Sequence, residues 1–352
     1  MSDFFRNLAE DIKDEDTSIA ADGLGSAEYT GTVDTGSFVL NAVLSGSIYG
    51  GIPNNKITAF AGETTTGKTF FALGVAKRFL ADNPTGGVIY YDTEAAVTKG
   101  MMESRGIDTQ RIVLAEPDSI QKFRAHALKT LEQYEKTPEN KRPPMLMVLD
   151  SLGILSTEKE LADSAEGKDV RDMTKSQLVR GTFRVLTLKL AKVQVPMIVT
   201  NHVYEVIGSY IPMKEMGGGS GLKYAASTIA YLSKKKERDG KDVVGNIIKV
   251  KMFKSRLSKE NKEVECLLNY DTGLDRYYGM VELAVNSGVW NASANRIETD
   301  QGQKVYPKAI LKEPEKYFND KVMMIIEKHV NDKFSYGVVD DRTDDTEQPD
   351  SE

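Results

Sequence analysis

Short apolar runs alternate with stretches of helical period over most of this chain. The runs at 56–61, 88–92, 111–115, 145–150 and 196–200 have the length and content of buried strands, and 67–81, 98–105, 119–136 and 171–193 read as helices. Strands alternating with helices predict an α/β core with a mostly parallel central sheet flanked by crossover helices. After residue 226 the rhythm changes to strands alone, at 227–233, 246–253 and 262–269. The charged run Lys234-Lys235-Lys236-Glu237-Arg238-Asp239-Gly240 between the first two is expected to be a solvated hairpin tip. Beyond Tyr278-Gly279, helices are predicted over Met280 to Ser287 and Pro314 to Val330, with hairpin-like sequence from Trp290 to Tyr306.

At the other end, Phe4, Phe5, Leu8 and Ile12 share one face of a short helix that Asp3 can cap. Polar, Ala/Gly/Ser-rich sequence from Thr17 to Thr35 reads as a linker. A helix so tethered has no core of its own, so its apolar face must fold back or dock on a neighbouring subunit. The organisation expected is therefore four parts: a docking helix and linker (1–35), the α/β core (36–277), a small α+β C-terminal domain (278–336) and an acidic tail (337–352). From Asp340 onward the tail lacks the apolar residues needed to order it. No internal repeat is visible.

Charge changes the picture once it is divided. Residues 1–22 carry a net −5 and residues 337–352 a net −6, so a total of −6 leaves +5 for the body. A mildly basic body between acidic ends permits a polyanionic partner. The single cysteine, Cys266, excludes an internal disulfide and a cysteine zinc cluster, and none of the three histidines has metal-ligand spacing. No apolar run is long enough for a bilayer and no secretory leader is visible, so a cytoplasmic protein is expected.

The chemistry centres on Gly62-Glu63-Thr64-Thr65-Thr66-Gly67-Lys68-Thr69, which fits G-x-x-x-x-G-K-[ST] between a predicted strand and a helix beginning near Phe70. The glycines let backbone N–H groups turn inward around phosphates, and the helix N-terminus adds partial positive charge. Lys68 can reach the outer phosphates, and the Thr69 hydroxyl can ligate Mg²⁺. Met145-Leu146-Met147-Val148-Leu149-Asp150-Ser151 is an apolar strand ending in an acid, the Walker B pattern, which makes Asp150 the second candidate ligand of Mg²⁺. Val88-Ile89-Tyr90-Tyr91-Asp92-Thr93-Glu94 ends in acids as well. A carboxylate beside the γ-phosphate can serve as general base; Glu94 is the first candidate and Asp92 the second. Met197-Ile198-Val199-Thr200-Asn201-His202 ends a third strand with polar groups that can sense a phosphate. The glycine-rich segment after it, Val203 to Tyr224, is too long for a plain connection.

Taken in order, these motifs resemble the RecA-type strand-exchange recombinases, and the phage UvsX branch in particular. The resemblance covers residues 37 to 290 or so. It rests also on Leu44-Ser45-Gly46, Gly50-Gly51-Ile52-Pro53, Arg105-Gly106-Ile107-Asp108, Arg111-Ile112, Leu149-Asp150-Ser151-Leu152-Gly153, Asp172-Met173-Thr174, Asn201-His202-Val203-Tyr204-Glu205, Met216-Gly217-Gly218-Gly219 and Lys254-Ser255-Arg256. It implies a Mg²⁺-dependent, DNA-stimulated ATPase that forms a helical filament on single-stranded DNA and pairs it with a homologous duplex, assisted by a mediator and a single-strand-binding protein. His202 would stand in the sensor position, and Lys254 and Arg256 would reach a neighbour's ATP. The segments Ser156–Lys175 and Val203–Leu222 resemble the family's two DNA loops. Lys168, Arg171, Lys175 and Lys214 would meet phosphates there, Gly217, Gly218 and Gly219 would belong to the second loop, and Ile207, Tyr210 or Met213 could wedge between bases. Where RecA places an aspartate and a tyrosine against adenine, this chain has Thr98 and Met101, while Tyr278 could stack on the nucleotide. Two other readings use the same motifs: a hexameric helicase, which would favour a larger N-terminal assembly domain, and a nucleotide-gated DNA scaffold, which would not need Glu94.

Overall fold

A computed structural model describes residues 3–12, 17, 19, 25, 28–168, 172–205, 214–217, 220–239 and 242–336. The chain runs α1 (Asp3–Ile12), β1 (Thr32–Val33), α2 (Phe38–Ser45), β2 (Ile52–Pro53), β3 (Ile57–Gly62), α3 (Lys68–Asp82), β4 (Gly87–Asp92), α4 (Lys99–Glu103) and β5 (Ile112–Ala115). It continues with α5 (Ile120–Lys136), β6 (Met145–Asp150), α6 (Glu158–Ala165), α7 (Lys175–Val193), β7 (Met197–Glu205), β8 (Lys214–Met216), α8 (Ser220–Ala225), β9 (Thr228–Asp239) and β10 (Asp242–Lys254). The last part holds β11 (Glu263–Asn269), β12 (Gly273–Leu274), α9 (Met280–Asn286), β13 (Asn291–Ser293), β14 (Arg296–Glu298), β15 (Lys304–Val305), α10 (Pro307–Lys312), α11 (Pro314–Tyr317) and α12 (Asp320–Phe334).

The main sheet has the order β12-β11-β10-β9-β3-β7-β6-β4-β5, with β8 paired to the end of β7. From β9 to β5 every pairing is parallel, and β9 through β12 pair antiparallel. Strands buried on both faces need apolar residues of both parities, and they have them. Phe60, Tyr90, Val148, Ile198 and Ala230 face a cluster built with α3, while Ala59, Tyr91, Leu149, Val199 and Ile229 face Phe123 of α5 and Phe183 of α7. Caps fix the helix starts: Ser119 accepts from the Lys122 N–H, and Thr157 with Glu160 forms a capping box on α6.

Residues 280–334 form a three-stranded sheet with the helices α9 to α12. Their buried side chains, among them Trp290, Phe318, Val322 and Phe334, belong to the same cluster as Phe38, Leu40 and Leu44 of α2. Aromatic rings bridge the junction, with centroids 5.2 Å apart for Phe38–Tyr277, 5.4 Å for Tyr277–Phe318 and 4.8 Å for Trp290–Phe318.

Three expectations need correction. The helix over 314–330 is two helices, because Phe318 turns into the aromatic junction and Asn319 caps α12 by accepting from Val322 N–H at 3.1 Å. The linker does not extend to Thr35: Thr30 N–H donates to Gln194 Oε1 at 3.2 Å, Asn54 Nδ2 to Thr30 Oγ1 at 2.8 Å, and β1 pairs with β2. The basic run after 233 is strand rather than turn, since β9 continues to Asp239 and places Lys234 opposite Ile248. The short helices α2, α6, α8 and α10 were not foreseen; α2, FVLNAVLS, is buried nearly all round and offers no polar face to read. Among the described residues no helix is long and apolar enough to cross a membrane.

Candidate active site and nucleic-acid interface

Four parallel strands end at one edge of the sheet, and their register lines up the site. Gly62 lies opposite His202, and Asp92 opposite Asp150. The edge opens into a cleft of about 630 Å³ that runs from the phosphate loop along α3 and is walled on the far side by Leu268, Tyr270 and Leu274.

The phosphate loop needs its glycines. Gly67 takes φ 90° as α3 begins, and a Cβ there would come within 2.9 Å of Leu268. A Cβ on Gly62 would lie 2.7 Å from Thr66 Oγ1, which donates to Glu63 O at 2.9 Å. Of the residues expected to hold nucleotide, Thr64, Thr65, Gly67, Lys68, Thr69 and Phe70 line the cleft, and Gly62, Glu63 and Thr66 shape the loop behind them. Lys68 Nζ donates to Gly62 O at 3.1 Å and Glu63 O at 2.9 Å, and lies 3.4 Å from His202 Nδ1. Burial pushes the Lys68 pKa down, against the opposing pull of Glu94 and Asp150.

Asp150 is 2% exposed, and both of its oxygens are held by buried hydroxyls. Tyr90 OH donates to Oδ2 at 2.8 Å, and Thr200 Oγ1 donates to Oδ1. Each oxygen keeps a lone pair, so Asp150 and the Thr69 hydroxyl offer the hard oxygen donors that Mg²⁺ takes alongside phosphate and water. The residues present fit that ion.

Glu94 is oriented from two other strand ends. Ser151 Oγ donates to Glu94 Oε1 at 2.6 Å, and His202 Nε2 lies 3.0 Å from the same oxygen. Donation from Nε2 leaves Nδ1 to accept from Lys68, so the two neighbours select one imidazole tautomer. Ser151 is itself fixed: its N–H donates to Thr93 Oγ1 at 2.8 Å, and its carbonyl accepts from the same hydroxyl at 2.7 Å. Burial alone would raise the Glu94 pKa, but hydrogen bonds from Ser151 and His202 and the charge of Lys68 outweigh it and hold the carboxyl below its ordinary value. Asp92 is excluded as the base. It is 1% exposed and accepts from Glu94 N–H at 3.1 Å and Val97 N–H at 2.8 Å, which caps the loop.

At the far end of the cleft the Arg105 guanidinium lies 4.4 Å from the Phe70 ring centroid and donates to Met101 O at 2.9 Å. Thr98 caps α4 and Met101 packs on the core, so neither replaces the expected base contacts. Arg105 and Tyr270 line the cleft and were missed as site residues; Arg105 belongs to the Arg105-Gly106-Ile107-Asp108 motif, and Tyr270 gave no signal beyond following a strand. Tyr278 does not line the cleft. Its N–H is held by Asp275 at 2.8 Å, and burial, reinforced by Glu265 and Glu237, pushes its hydroxyl up to about 12.

The segment Ser156–Lys175 contains α6 and is closed by Asp172, which accepts from Thr157 Oγ1 at 2.7 Å and from Thr174 N–H and Oγ1 at 2.8 Å. Lys175 pairs with Glu160 at 3.5 Å and Lys168 with Glu166 at 2.5 Å, while Met173 is 84% exposed. Within the segment Val203–Leu222, β7 and β8 pair antiparallel, with Val203 opposite Met216 and Glu205 opposite Lys214. Gly217 closes the base of this pairing: its N–H donates to His202 O at 2.9 Å, its carbonyl accepts from Asn201 Nδ2 at 2.8 Å, and a Cβ would meet the Tyr204 ring at 2.9 Å. Arg171, Ile207, Tyr210, Met213, Gly218 and Gly219 lie outside the described residues, as does the Lys214 side chain. Lys254 and Arg256 do not line this cleft. Lys254 Nζ caps α8 through Lys223 O at 2.8 Å and Ala226 O at 2.7 Å, and Arg256 is exposed.

A phosphate loop, a strand-end acid beneath it and a sheet of this order define a RecA-like core, and the chain belongs to the family described as RecA N-terminal domain, whose model matches residues 12–275. That span takes in every residue lining the cleft except Arg276. Similar proteins include the "Recombination and repair protein" of Enterobacteria phage T4, 29% identical over 250 residues, covering 71% of this chain and 62% of that protein. "Protein RecA" of Deinococcus radiodurans is 29% identical over 264 residues, covering 73% of this chain and 68% of that one. "Protein RecA" of Chloroherpeton thalassium is 28% identical over 326 residues, covering 89% and 85%. The match therefore spans less than two thirds of the phage protein's length.

Proposed function

We propose that this protein is a DNA recombinase: an ATPase that assembles on single-stranded DNA and promotes homologous pairing and strand exchange. The observation that carries the reading is the Glu94 arrangement. An ionised carboxylate, gripped at one oxygen by Ser151 and His202, faces a phosphate-loop lysine and keeps its second oxygen for a water molecule. In hydrolysis that water forms a bond to the γ-phosphorus while the bond to the ADP oxygen breaks, and its proton passes to Glu94. Lys68 holds the outer phosphates, and Thr69 with Asp150 would hold Mg²⁺, which supplies charge neutralisation when bound.

His202 links this chemistry to DNA. Its side chain touches Lys68 and Glu94, and its carbonyl accepts from Gly217 at the base of the second loop. A shift of His202 on nucleotide binding would therefore move the hairpin. We assign the DNA contacts to that loop and to the 156–175 loop, and Lys254 and Arg256 to the nucleotide of a neighbouring protomer. The exposed apolar face of α1, with Phe4 66% and Phe5 57% exposed, suits docking on the next copy. A recombination mediator and a single-strand-binding protein are the further partners this reading calls for.

The test is ATP hydrolysis with and without single-stranded DNA, with the products imaged by negative-stain electron microscopy. Strong stimulation together with helical filaments is expected. Closed six-membered rings would turn the reading to a helicase, and filaments without turnover to a scaffold.

A further inference from the structure

The run Lys234-Lys235-Lys236 is singled out by its charge. β9 lies beside β3 in parallel, with Leu232 opposite Gly62, so the next residues of β9 pass alongside the phosphate loop. Strand alternation sorts the lysines. Ala230 and Leu232 face the cluster that contains α3, and Ile229 faces the other, which puts Lys234 on the cleft side and Lys235 on the opposite side. Lys234 Nζ donates to the Thr65 carbonyl, and to Thr65 Oγ1 at 2.8 Å. Lys234 lines the cleft with Lys68, Glu94 and His202. Thr65 is the one residue of the phosphate loop other than glycine with left-handed backbone, φ 63°. The ammonium thus supports the loop at its strained corner, and its third N–H and its charge remain unmatched by any carboxylate ion pair among the described residues.

We propose that Lys234 is a second cation of the nucleotide site, which braces Thr65 and directs its charge at the terminal phosphates of a bound nucleoside triphosphate. The inference rests on the nucleotide reading above and adds a residue and a selectivity to it. A cation placed toward the last phosphate favours a triphosphate over a diphosphate, because the extra phosphoryl group brings both an added charge and added acceptors. Lys68 reaches those phosphates from within the loop, and Lys234 adds a second charge from the side of β9.

The experiment measures binding of fluorescent mant-ATP and mant-ADP to the full chain without DNA, for wild type, Lys234→Met, Lys235→Met and Lys68→Met. Lys234 is exposed, so the first variant should melt like wild type. Lys234→Met is expected to weaken triphosphate binding about five- to tenfold and diphosphate binding about twofold, the loss of one partly screened cation. Lys235→Met should stay within about twofold of wild type for both. Unchanged triphosphate affinity in Lys234→Met overturns the proposal, as does an equal loss in Lys235→Met, which would assign the effect to general charge. An equal loss of both nucleotides overturns the selectivity and reduces Lys234 to a brace. If wild type and Lys68→Met alike bind neither nucleotide, the nucleotide reading itself falls, and this inference with it.

Discussion

Glu94→Gln separates base catalysis from architecture more cleanly than any other change to this site. Glutamine has the shape of glutamate, and its carbonyl oxygen can accept from Ser151 Oγ and His202 Nε2 as Glu94 Oε1 does at 2.6 and 3.0 Å. What changes is the other end, where an acceptor facing water becomes an NH₂ donor. General-base assistance is worth about 10²- to 10⁴-fold, or about 3–5 kcal/mol of barrier, so kcat should fall by at least about a hundredfold. Binding should go the other way. The Glu94 charge lies beside Lys68 and works against the lowering of its pKa by burial, and a carboxylate there also repels a polyphosphate. Its removal should leave ATP affinity equal or about twofold tighter. The assay pairs steady-state ATPase on single-stranded DNA with equilibrium binding of ATP and DNA. Turnover within about threefold of wild type would remove Glu94 from the chemistry. A tenfold loss of ATP binding would instead make it a structural residue.

Three further outcomes are expected. Phe5→Ala with Leu8→Ala should yield monomers by sedimentation that still bind ATP; filaments of normal length would place the joint elsewhere. Asp34 accepts from Asn41 Nδ2 and Arg276 Nη1, both at 2.8 Å, and from Gly36 N–H at 2.9 Å. Burial works to raise its pKa, but these partners outweigh it and hold it below the ordinary 3.8. With the folded-state pKa depressed, the stabilisation is present in full above that ordinary value and is lost as pH falls through the folded one. Asp34→Asn should therefore cost about 2 kcal/mol at neutral pH and flatten the acid limb of melting temperature below about pH 4; an unchanged limb would refute this. Removing residues 337–352 should speed DNA association, most at low salt, if the acidic tail competes for the basic body. Identical rates at every salt concentration would rule that out.

The parallel core was legible because its strands are apolar on both parities and each ends in a polar residue at the same sheet edge. Glu94, Asp150 and His202 could be named for that reason and Lys68 from the phosphate-loop motif, and the structure brings these four to one cleft. The rest depended on tertiary choices. Nothing local distinguishes Glu94 from Asp92; the decision comes from Asp92 capping the loop to Val97. Tyr278 and Tyr270 are both tyrosines near the end of the sheet, and only the path of the chain after β11 puts Tyr270 in the wall. The triple lysine looked like a turn because charge runs favour solvent, and it is a strand because β10 pairs along its whole length. Phe318 breaks a helix that its neighbours would have continued, through a burial that no periodicity records.

The junction between α2 and the C-terminal segment also gives the molecule a built-in reporter. The chain has one tryptophan, Trp290, 1% exposed against Phe318 and absent from the cleft lining. Its emission is the only indole signal the protein emits. It should report on the seating of the last sheet and helices against the body, and stay silent when nucleotide enters. An unlabelled sample can thus reveal, in real time and without a fluorescent dye, whether filament growth unseats that segment or carries it as rigid cargo.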